Sequence, residues 1–211
     1  ILSEDEPSRR KALAELLPFQ KEDFKGLFSE MEGYSVAIRT IDPPLHEFLP
    51  KNEADAQKLS KKIGMPAAKI LAKSNELHET NPMLGHRGCR LGITYPEITE
   101  MQVRAIISAA CELYKEKKIK IMPEIMIPLV GDVNEFRNQK KVVDRVALEI
   151  MKQYGVKIAY TVGTMIEVPR AAITADQIAK EAEFFSFGTN DLTQMGMGFS
   201  RDDAAKFTKI Y

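Results

Sequence analysis

Short apolar segments typical of strands alternate along this chain with longer segments of helical periodicity, and this alternation constrains the fold more than any other feature. Strands are predicted at 35–39, 121–130, 158–168 and 184–187, with a weaker candidate near 83–86. Helices are predicted at 8–31 with a break at Pro18, at 52–77 with an interruption near 64–66, and at 96–117, 133–154 and 171–183. Continuous apolar strands separated by helices indicate an α/β fold, in which helices cover a parallel sheet.

The composition is that of one globular domain over residues 1–211. Hydrophobic residues make up 44% and charged residues 28%. Because 30 Lys and Arg balance 30 Asp and Glu, the charge argues against a nucleic-acid partner. No run of 18 apolar residues occurs, so no membrane-spanning helix is expected. The two cysteines form no disulfide framework, which predicts a reducing compartment, the cytoplasm, with an organelle left open.

The polar residues that stand out lie where strands are predicted to end. Arg39 ends the 35–39 strand, Glu167 ends the 158–168 strand, and Asp191 follows the 184–187 strand. Arg87 lies in the Gly-rich segment 81–92. An α/β barrel has its active site at the carboxyl ends of its strands, and a doubly wound sheet binds its ligand at the same edge. Either architecture therefore predicts that these separate segments meet at one site.

The chemistry of these residues is coherent. Glu167 and Asp191 are hard oxygen ligands that suit Mg²⁺, which usually takes one or two carboxylates and completes its shell with water and substrate. Arg39 and Arg87 offer planar donor groups that match carboxylate or phosphate oxygens. Backbone N–H groups able to meet an anion are predicted at Gly188, Thr189 and Asn190. Together they predict a site for a divalent cation and a small anionic substrate, such as a phosphorylated keto acid.

Each of these residues also has a plainer interpretation. An arginine such as Arg39 at a strand end can form a surface ion pair, and Glu167 can be a solvated loop acid. Asp191 can be a helix N-cap. Cys89 and Cys111 fit small buried hydrophobic residues better than nucleophiles, since neither has an obvious base beside it.

Four long segments identify a family. They are VAIRTIDPPLHEFLP at 36–50, NPMLGHRGCRLG at 81–92, GTMIEVPRAA at 163–172 and FFSFGTNDLTQMGMGFSRDD at 184–203. Together they closely resemble the C-terminal phosphoenolpyruvate/pyruvate-binding domain of the pyruvate, phosphate dikinase family, and the resemblance covers nearly the whole chain. Phosphoenolpyruvate synthase and enzyme I of the bacterial sugar phosphotransferase system look similar around MIE and ND. The DPPLHEFLP and HRGCR segments favour the dikinase.

The resemblance implies a (β/α)₈ barrel, a TIM barrel, of which this chain supplies about strands 2 to 6. The family's first strand would precede Ile1, and its seventh and eighth would follow Tyr211. By the same resemblance, Arg39 and Arg87 hold the transferring phosphoryl group, and Glu167 and Asp191 bind Mg²⁺. The substrate-binding loop is implied at Gly188, Thr189 and Asn190.

The resemblance also implies a reaction and partners. In the full enzyme, a phosphohistidine on a swivelling domain passes its phosphoryl group to pyruvate, so that ATP, pyruvate and phosphate give AMP, phosphoenolpyruvate and diphosphate. A homodimer is expected for that enzyme, with no nucleic acid and no membrane as partner. The family's acid–base cysteine is expected beyond Tyr211, and neither Cys89 nor Cys111 matches its motif. The isolated chain is therefore expected to be inactive. Two alternatives stay open: a non-catalytic ligand-binding or assembly module, and a synthase or enzyme I relative.

Overall fold

Four parallel strands form one sheet at the centre of the molecule. The computed structural model describes residues 1–79, 81–200 and 203–211, so that Arg201 and Asp202 of the fourth family segment lie outside the described residues. The strands are β1 Ser35–Arg39, β2 Met122–Ile127, β3 Thr161–Ile166 and β4 Phe185–Phe187. They lie side by side in chain order, β1-β2-β3-β4, and every neighbouring pair is parallel. This consecutive order is consistent with part of a barrel, because a doubly wound sheet reverses its strand order at a switch point.

The helices lie between and around these strands. They are α1 Glu6–Glu30, α2 Glu53–Ile63, α3 Ala67–Leu77, α4 Gly88–Thr94, α5 Pro96–Lys117, α6 Val133–Tyr154, α7 Pro169–Ile173, α8 Ala175–Ile178 and α9 Thr189–Met197. Short 3₁₀ turns occur at Leu45–Phe48, Pro82–Leu84 and Ala204–Lys206. In the part of the chain that the structure describes, no helix is both long and apolar enough to cross a bilayer.

Local sequence signals explain α5 and α6, the two longest helices that connect strands. The observed bounds of both helices agree with the predicted ones. Pro96 takes the first position of α5, where a missing N–H costs nothing. Asp132 and Glu135 form a capping box at the start of α6. Gly155 ends α6 in the left-handed conformation, with φ of 62°. The helix ends are therefore set by residues that the sequence displays.

The core lies between one face of the sheet and the helix layer. Ile38 and Ile125 alternate with more exposed residues along β1 and β2, and they are buried against the helices together with Val162 of β3, a strand that is buried on both faces around Gly163. Helix α5 contacts α1 on one side and α6 on the other, so the helices form one continuous layer. Each fully buried aliphatic side chain stabilises the fold by roughly 1.5–3 kcal/mol. This layer holds the sheet rigid and leaves the carboxyl ends of the strands free to carry a site.

Three predictions of local structure were wrong. The strand near 83–86 does not form, because the segment turns through Pro82–Leu84 and Gly85 instead of extending. Helix α1 continues through Pro18, which is exposed, because the helix is held by its contacts with α5. The helix expected at 171–183 is two short helices, α7 and α8, separated at Thr174. In addition, β2 stops at Ile127, so that 128–130 forms part of the loop at the carboxyl end of the sheet.

Candidate functional site

The carboxyl ends of the strands bring together the segments that the sequence singled out. Arg39 ends β1, Glu167 directly follows β3, and Gly188 directly follows β4. The backbone N–H of Thr40 donates to the carbonyl of Met126 at 3.0 Å, which extends the pairing of β1 with β2 beyond Arg39. Because all four strands run in the same direction, these residues share one edge of the sheet.

Asp42 joins the two arginines. Its carboxylate is buried, with 2% of the side chain exposed. Arg87 donates to it through both Nε, at 3.1 Å from Oδ1, and Nη2, which contacts Oδ2. Nη1 of Arg39 lies 3.2 Å from the same Oδ2. Thus one buried carboxylate holds Arg87 by hydrogen bonds and pairs with Arg39, whose own side chain is 46% exposed, so Arg39 forms the ion pair considered for it but with a buried partner.

Helix α5 anchors the loop that carries Asp42. The backbone N–H of Ile41 donates to Oε1 of Gln102 at 2.7 Å, and Gln102 is itself buried on α5. Nε of Arg87 also donates to the backbone carbonyl of Asp42 at 3.1 Å. The loop after β1 is therefore held by a helix on one side and by Arg87 on the other.

Glu167 is buried, with 1% of the residue exposed. The solvated loop acid considered for it is therefore wrong. Its Oε1 accepts a hydrogen bond from the backbone N–H of Leu129 at 2.7 Å. Burial raises the pKa of Glu167, and the negative charges of Asp42 and Asp191 add to this, although the Leu129 N–H and Arg87 oppose it. The carboxylate thus lies where a cation would stabilise its charged form.

Gly188 makes a close contact that other residues could not make. A Cβ at this position would lie 2.4 Å from both Cβ and Oε2 of Glu167. Its N–H donates to the carbonyl of Ile166 at 3.1 Å, which keeps the start of α9 beside β3. Glycine is therefore required here for close approach, not for an unusual backbone angle.

Helix α9 begins directly after this contact. Gly188 is its N-cap, so the N-cap role considered for Asp191 is wrong, and Asp191 lies in the first turn. Thr189 and Asn190 are exposed at the start of the helix. The charge of Asp191 raises the pKa of both Glu167 and Arg87. The negative charge of Asp191 therefore acts both on Glu167, the candidate metal ligand, and on Arg87, the candidate phosphoryl ligand.

Two residues that position the site were not found from the sequence. Asp42 lies in the segment Asp42-Pro43-Pro44, which the sequence analysis treats only as a turn. Leu129 lies in an apolar run that looks like a strand, yet its φ of 59° is left-handed and its N–H binds Glu167. An acid three residues after a strand-end arginine is the one signal that could have indicated Asp42. Nothing in the sequence marks Leu129.

The donor set suits a hard divalent cation. Within the described residues, no group of three or more His, Cys, Asp and Glu side chains could hold a metal ion. Mg²⁺ does not need such a group, because it commonly binds one or two carboxylates and fills its shell with water and substrate oxygens. Glu167, with its raised pKa and its negative neighbours, fits a cation of this kind.

The chain that carries this site matches a known family. The whole chain, residues 1–211, matches the family described as PEP-utilising enzyme, PEP-binding domain, and the chain belongs to this family. Among its relatives, pyruvate, phosphate dikinase of Clostridium symbiosum is 56% identical over 211 residues, which is 100% of this chain and 24% of that protein. The Rhizobium meliloti enzyme of the same name is 54% identical over 211 residues, with the same shares of 100% and 24%.

A plant relative extends the comparison. Pyruvate, phosphate dikinase 1, chloroplastic, of Arabidopsis thaliana is 51% identical over 213 residues, covering 100% of this chain and 22% of that protein. The chain thus spans about a quarter of the length of the curated relatives that it matches. The family resemblance drawn from the four sequence segments is confirmed.

Proposed function

We propose that this chain is the phosphoenolpyruvate- and pyruvate-binding part of a pyruvate, phosphate dikinase. In the full enzyme it would hold pyruvate while the phosphoryl group of a phosphohistidine on a swivelling domain passes to that pyruvate. The overall reaction would convert ATP, pyruvate and phosphate to AMP, phosphoenolpyruvate and diphosphate. The observation that carries the proposal is the buried Asp42 that orients Arg39 and Arg87 at the sheet edge that also holds Glu167.

The two arginines would bind the phosphoryl group. Phosphoryl transfer depends mainly on positioning and on stabilising the charge spread over the equatorial oxygens. Asp42 occupies Nε and one N–H of Nη2 of Arg87. The phosphoryl group would therefore be recognised by the remaining N–H donors, on Nη1 and Nη2 of the same planar guanidinium. Because Asp42 orients both guanidinium groups before the substrate arrives, little reorganisation is needed on binding.

Glu167 and Asp191 would hold Mg²⁺, as the family resemblance implies and as the charge around Glu167 favours. When bound, Mg²⁺ would lower the free energy of the negative charge that develops on the substrate oxygen as pyruvate loses a methyl proton. Gly188 would keep Glu167 and the start of α9 in close contact. The exposed Thr189 and Asn190 would meet the substrate there through side-chain and backbone donors.

The proposal predicts phosphoenolpyruvate binding that requires Arg87. In isothermal titration with Mg²⁺ present, Arg87→Ala should weaken phosphoenolpyruvate binding by about 10- to 100-fold, because a charge-assisted pair of hydrogen bonds is lost. Arg170→Ala is a matched control, since Arg170 follows β3 but pairs with Asp132 and is 67% exposed. Equal affinities in the parent and in Arg87→Ala would refute the proposed role of the site.

The phosphate acceptor separates the dikinase from its relatives. In the full-length protein, orthophosphate dependence favours the dikinase, whereas water as the acceptor favours phosphoenolpyruvate synthase. The homodimer and the cytoplasmic or organellar location belong to the same proposal for the full-length protein. For the chain alone, which spans about a quarter of its relatives, we propose substrate binding without turnover.

A further inference from the structure

The loop after β2 has an unusual backbone conformation. Leu129 is not glycine, yet its φ is 59°, and only 2% of the residue is exposed. A side chain with a Cβ rarely adopts left-handed backbone angles, because its Cβ crowds the backbone there. Such a conformation persists only where surrounding contacts enforce it, and it is frequent at functional sites.

The start of α4 supplies those contacts. The backbone N–H of Cys89 donates to the carbonyl of Pro128 at 3.0 Å, and Sγ of Cys89 donates to the carbonyl of Leu129 at 3.2 Å. Gly88 allows this approach, since a Cβ there would lie 2.9 Å from both the Pro128 carbonyl oxygen and Cβ of Leu129. Cys89 thus bonds both carbonyl groups that flank the left-handed residue.

These contacts reach Glu167 through one peptide group. The carbonyl of Pro128 and the N–H of Leu129 belong to the same planar peptide, in which C=O and N–H point in opposite directions. The backbone N–H of Cys89 holds the carbonyl end, and the N–H end donates to Oε1 of Glu167 at 2.7 Å. The hydrogen bond from the Cys89 thiol to the Leu129 carbonyl restrains the peptide group that follows Leu129 as well.

We infer that Cys89 is a positioning residue: its thiol, together with its backbone N–H, holds the carbonyls on the two sides of Leu129, so that the Leu129 N–H orients the Glu167 carboxylate for a divalent cation. This inference rests on the proposed function, because it assumes that Glu167 holds that cation. Partners that orient a metal ligand typically change metal affinity by 10- to 100-fold when they are removed. Cys89 also lies two residues after Arg87, so the same segment orients the metal ligand and carries the phosphoryl ligand.

The chemistry of the thiol agrees with this role. Cys89 is 1% exposed, and burial raises its pKa to about 12, so the thiol keeps its proton at neutral pH. A protonated thiol can donate to the Leu129 carbonyl, whereas a thiolate could not. The same protonation removes Cys89 as a nucleophile.

Mn²⁺ binding to the chain, followed by electron paramagnetic resonance, tests the inference. Cys89→Ala keeps the backbone N–H bond to Pro128 but removes the thiol bond to Leu129, and it should weaken Mn²⁺ binding about tenfold. Cys89→Ser should retain most of the affinity, because its hydroxyl can donate to the same carbonyl. Cys111→Ala is the matched control: Cys111 is also fully buried but lies within α5, so this variant should bind Mn²⁺ like the parent. Equal affinity in Cys89→Ala and the parent, an equal loss in Cys111→Ala, or a Cys89→Ser variant as weak as Cys89→Ala would overturn it.

Two further measurements separate this inference from the proposed function. Glu167→Gln should lose Mn²⁺ binding; if it does not, or if the parent binds no Mn²⁺, the metal assignment is wrong and the inference is overturned with it. In the metal-free chain, hydrogen exchange of the Leu129 amide should be at least severalfold faster in Cys89→Ala than in Cys111→Ala. An unchanged exchange rate in Cys89→Ala would overturn the positioning role alone.

Discussion

Asp42 is the residue on which both arginines of the candidate site depend. It is 2% exposed and bonds Arg87 and Arg39 together. Asp42→Asn keeps the size of the side chain but removes its charge, which leaves two guanidinium groups without their counter-ion. We expect the free energy of unfolding to fall by about 1.5–3 kcal/mol, the contribution of hydrogen bonds to a charged group, because the arginine partners are only partly buried. Urea denaturation of the ligand-free chain measures this change.

The matched control for that change is Asp55→Asn. Asp55 also pairs with a cation, Lys58, at 2.9 Å, but 51% of its side chain is exposed. Exposed pairs are screened by solvent and contribute little to stability, so this variant should unfold at nearly the parental urea concentration. Equal losses in the two variants would show that burial of Asp42 does not strengthen its pairing.

Glu167 gives the chain a pH-dependent stability. Burial raises the pKa of Glu167 in the folded state, so the folded chain holds this proton more tightly than the unfolded chain. The stability that Glu167 contributes is therefore fully present below about pH 4.3, the ordinary pKa of a carboxyl group, and it is lost as the pH rises from there through the raised pKa. Glu167→Gln cannot lose the proton, so without Mg²⁺ it should be more stable than the parent at pH 7.

That difference should shrink toward zero as the pH falls below about 4.3, where Glu167 is protonated in both states. Urea denaturation of the parent and the variant across this range, without divalent cations, measures it. Added Mg²⁺ should stabilise the parent at pH 7 and leave Glu167→Gln unchanged, because a ligand stabilises only the state that binds it. A variant less stable than the parent at pH 7 without Mg²⁺ would contradict the raised pKa.

Residues of the site could be predicted from the sequence where chemistry and position agree. Glu167 and Arg87 combine a reactive side chain with a strand end or a Gly-rich loop, and both lie at the shared edge. Asp42 and Leu129 could not be found in this way, because their roles depend on contacts between segments distant in the chain. Arg87 is 45 residues from Asp42, and Glu167 is 38 residues from Leu129.

Among the helices, α1 departs most from what its sequence predicts. Pro18 lies inside it and removes a backbone hydrogen bond to the carbonyl four residues earlier. Pairs with α5 compensate, among them Lys21 with Glu112 at 2.7 Å. Since Pro18 is exposed, Pro18→Ala should restore the bond without loss of core contacts. We expect the free energy of unfolding to rise by about 1–3 kcal/mol in thermal or urea denaturation.

Pro7→Ala is the control for this prediction. Pro7 is exposed in the first turn of the same helix, where the N–H would have no partner within the helix. Its replacement should change the unfolding free energy by a few tenths of a kcal/mol. If Pro18→Ala is no more stable than Pro7→Ala, then α1 does not lose stability at its interior proline.

Elements with strong end signals were predictable, and those that depend on tertiary contacts were not. Helices α5 and α6 carry an N-terminal proline or a capping box, and their bounds follow from these signals. In the segment near 83–86, Met83 and Leu84 are apolar enough to resemble a strand, but they lie between Pro82 and Gly85 and form a turn. The end of β2 at Ile127 could not be predicted from the sequence either, because Pro128 to Val130 continue the apolar run.

On the scale of the whole molecule, strand order bears on the two architectures that the sequence left open. Both a barrel and a doubly wound sheet place ligands at the carboxyl edge, so the polar residues did not distinguish them. The order β1-β2-β3-β4, without reversal, is consistent with part of a barrel. Pairing between strands is a long-range property, which apolar periodicity within each strand does not encode.

The two thiols of the chain bear on what the whole chain can catalyse alone. Making the enol of pyruvate requires a base near the methyl group, and the two thiols of this chain are unsuitable. Burial raises the pKa of Cys89 to about 12 and that of Cys111 to about 11, so both stay protonated at neutral pH. We therefore expect the chain with Mg²⁺ to exchange pyruvate methyl protons into D₂O no faster than Mg²⁺ alone, as measured by proton NMR. Exchange well above that background, lost in Cys89→Ala, would identify Cys89 as the base and contradict both its protonated state and its positioning role.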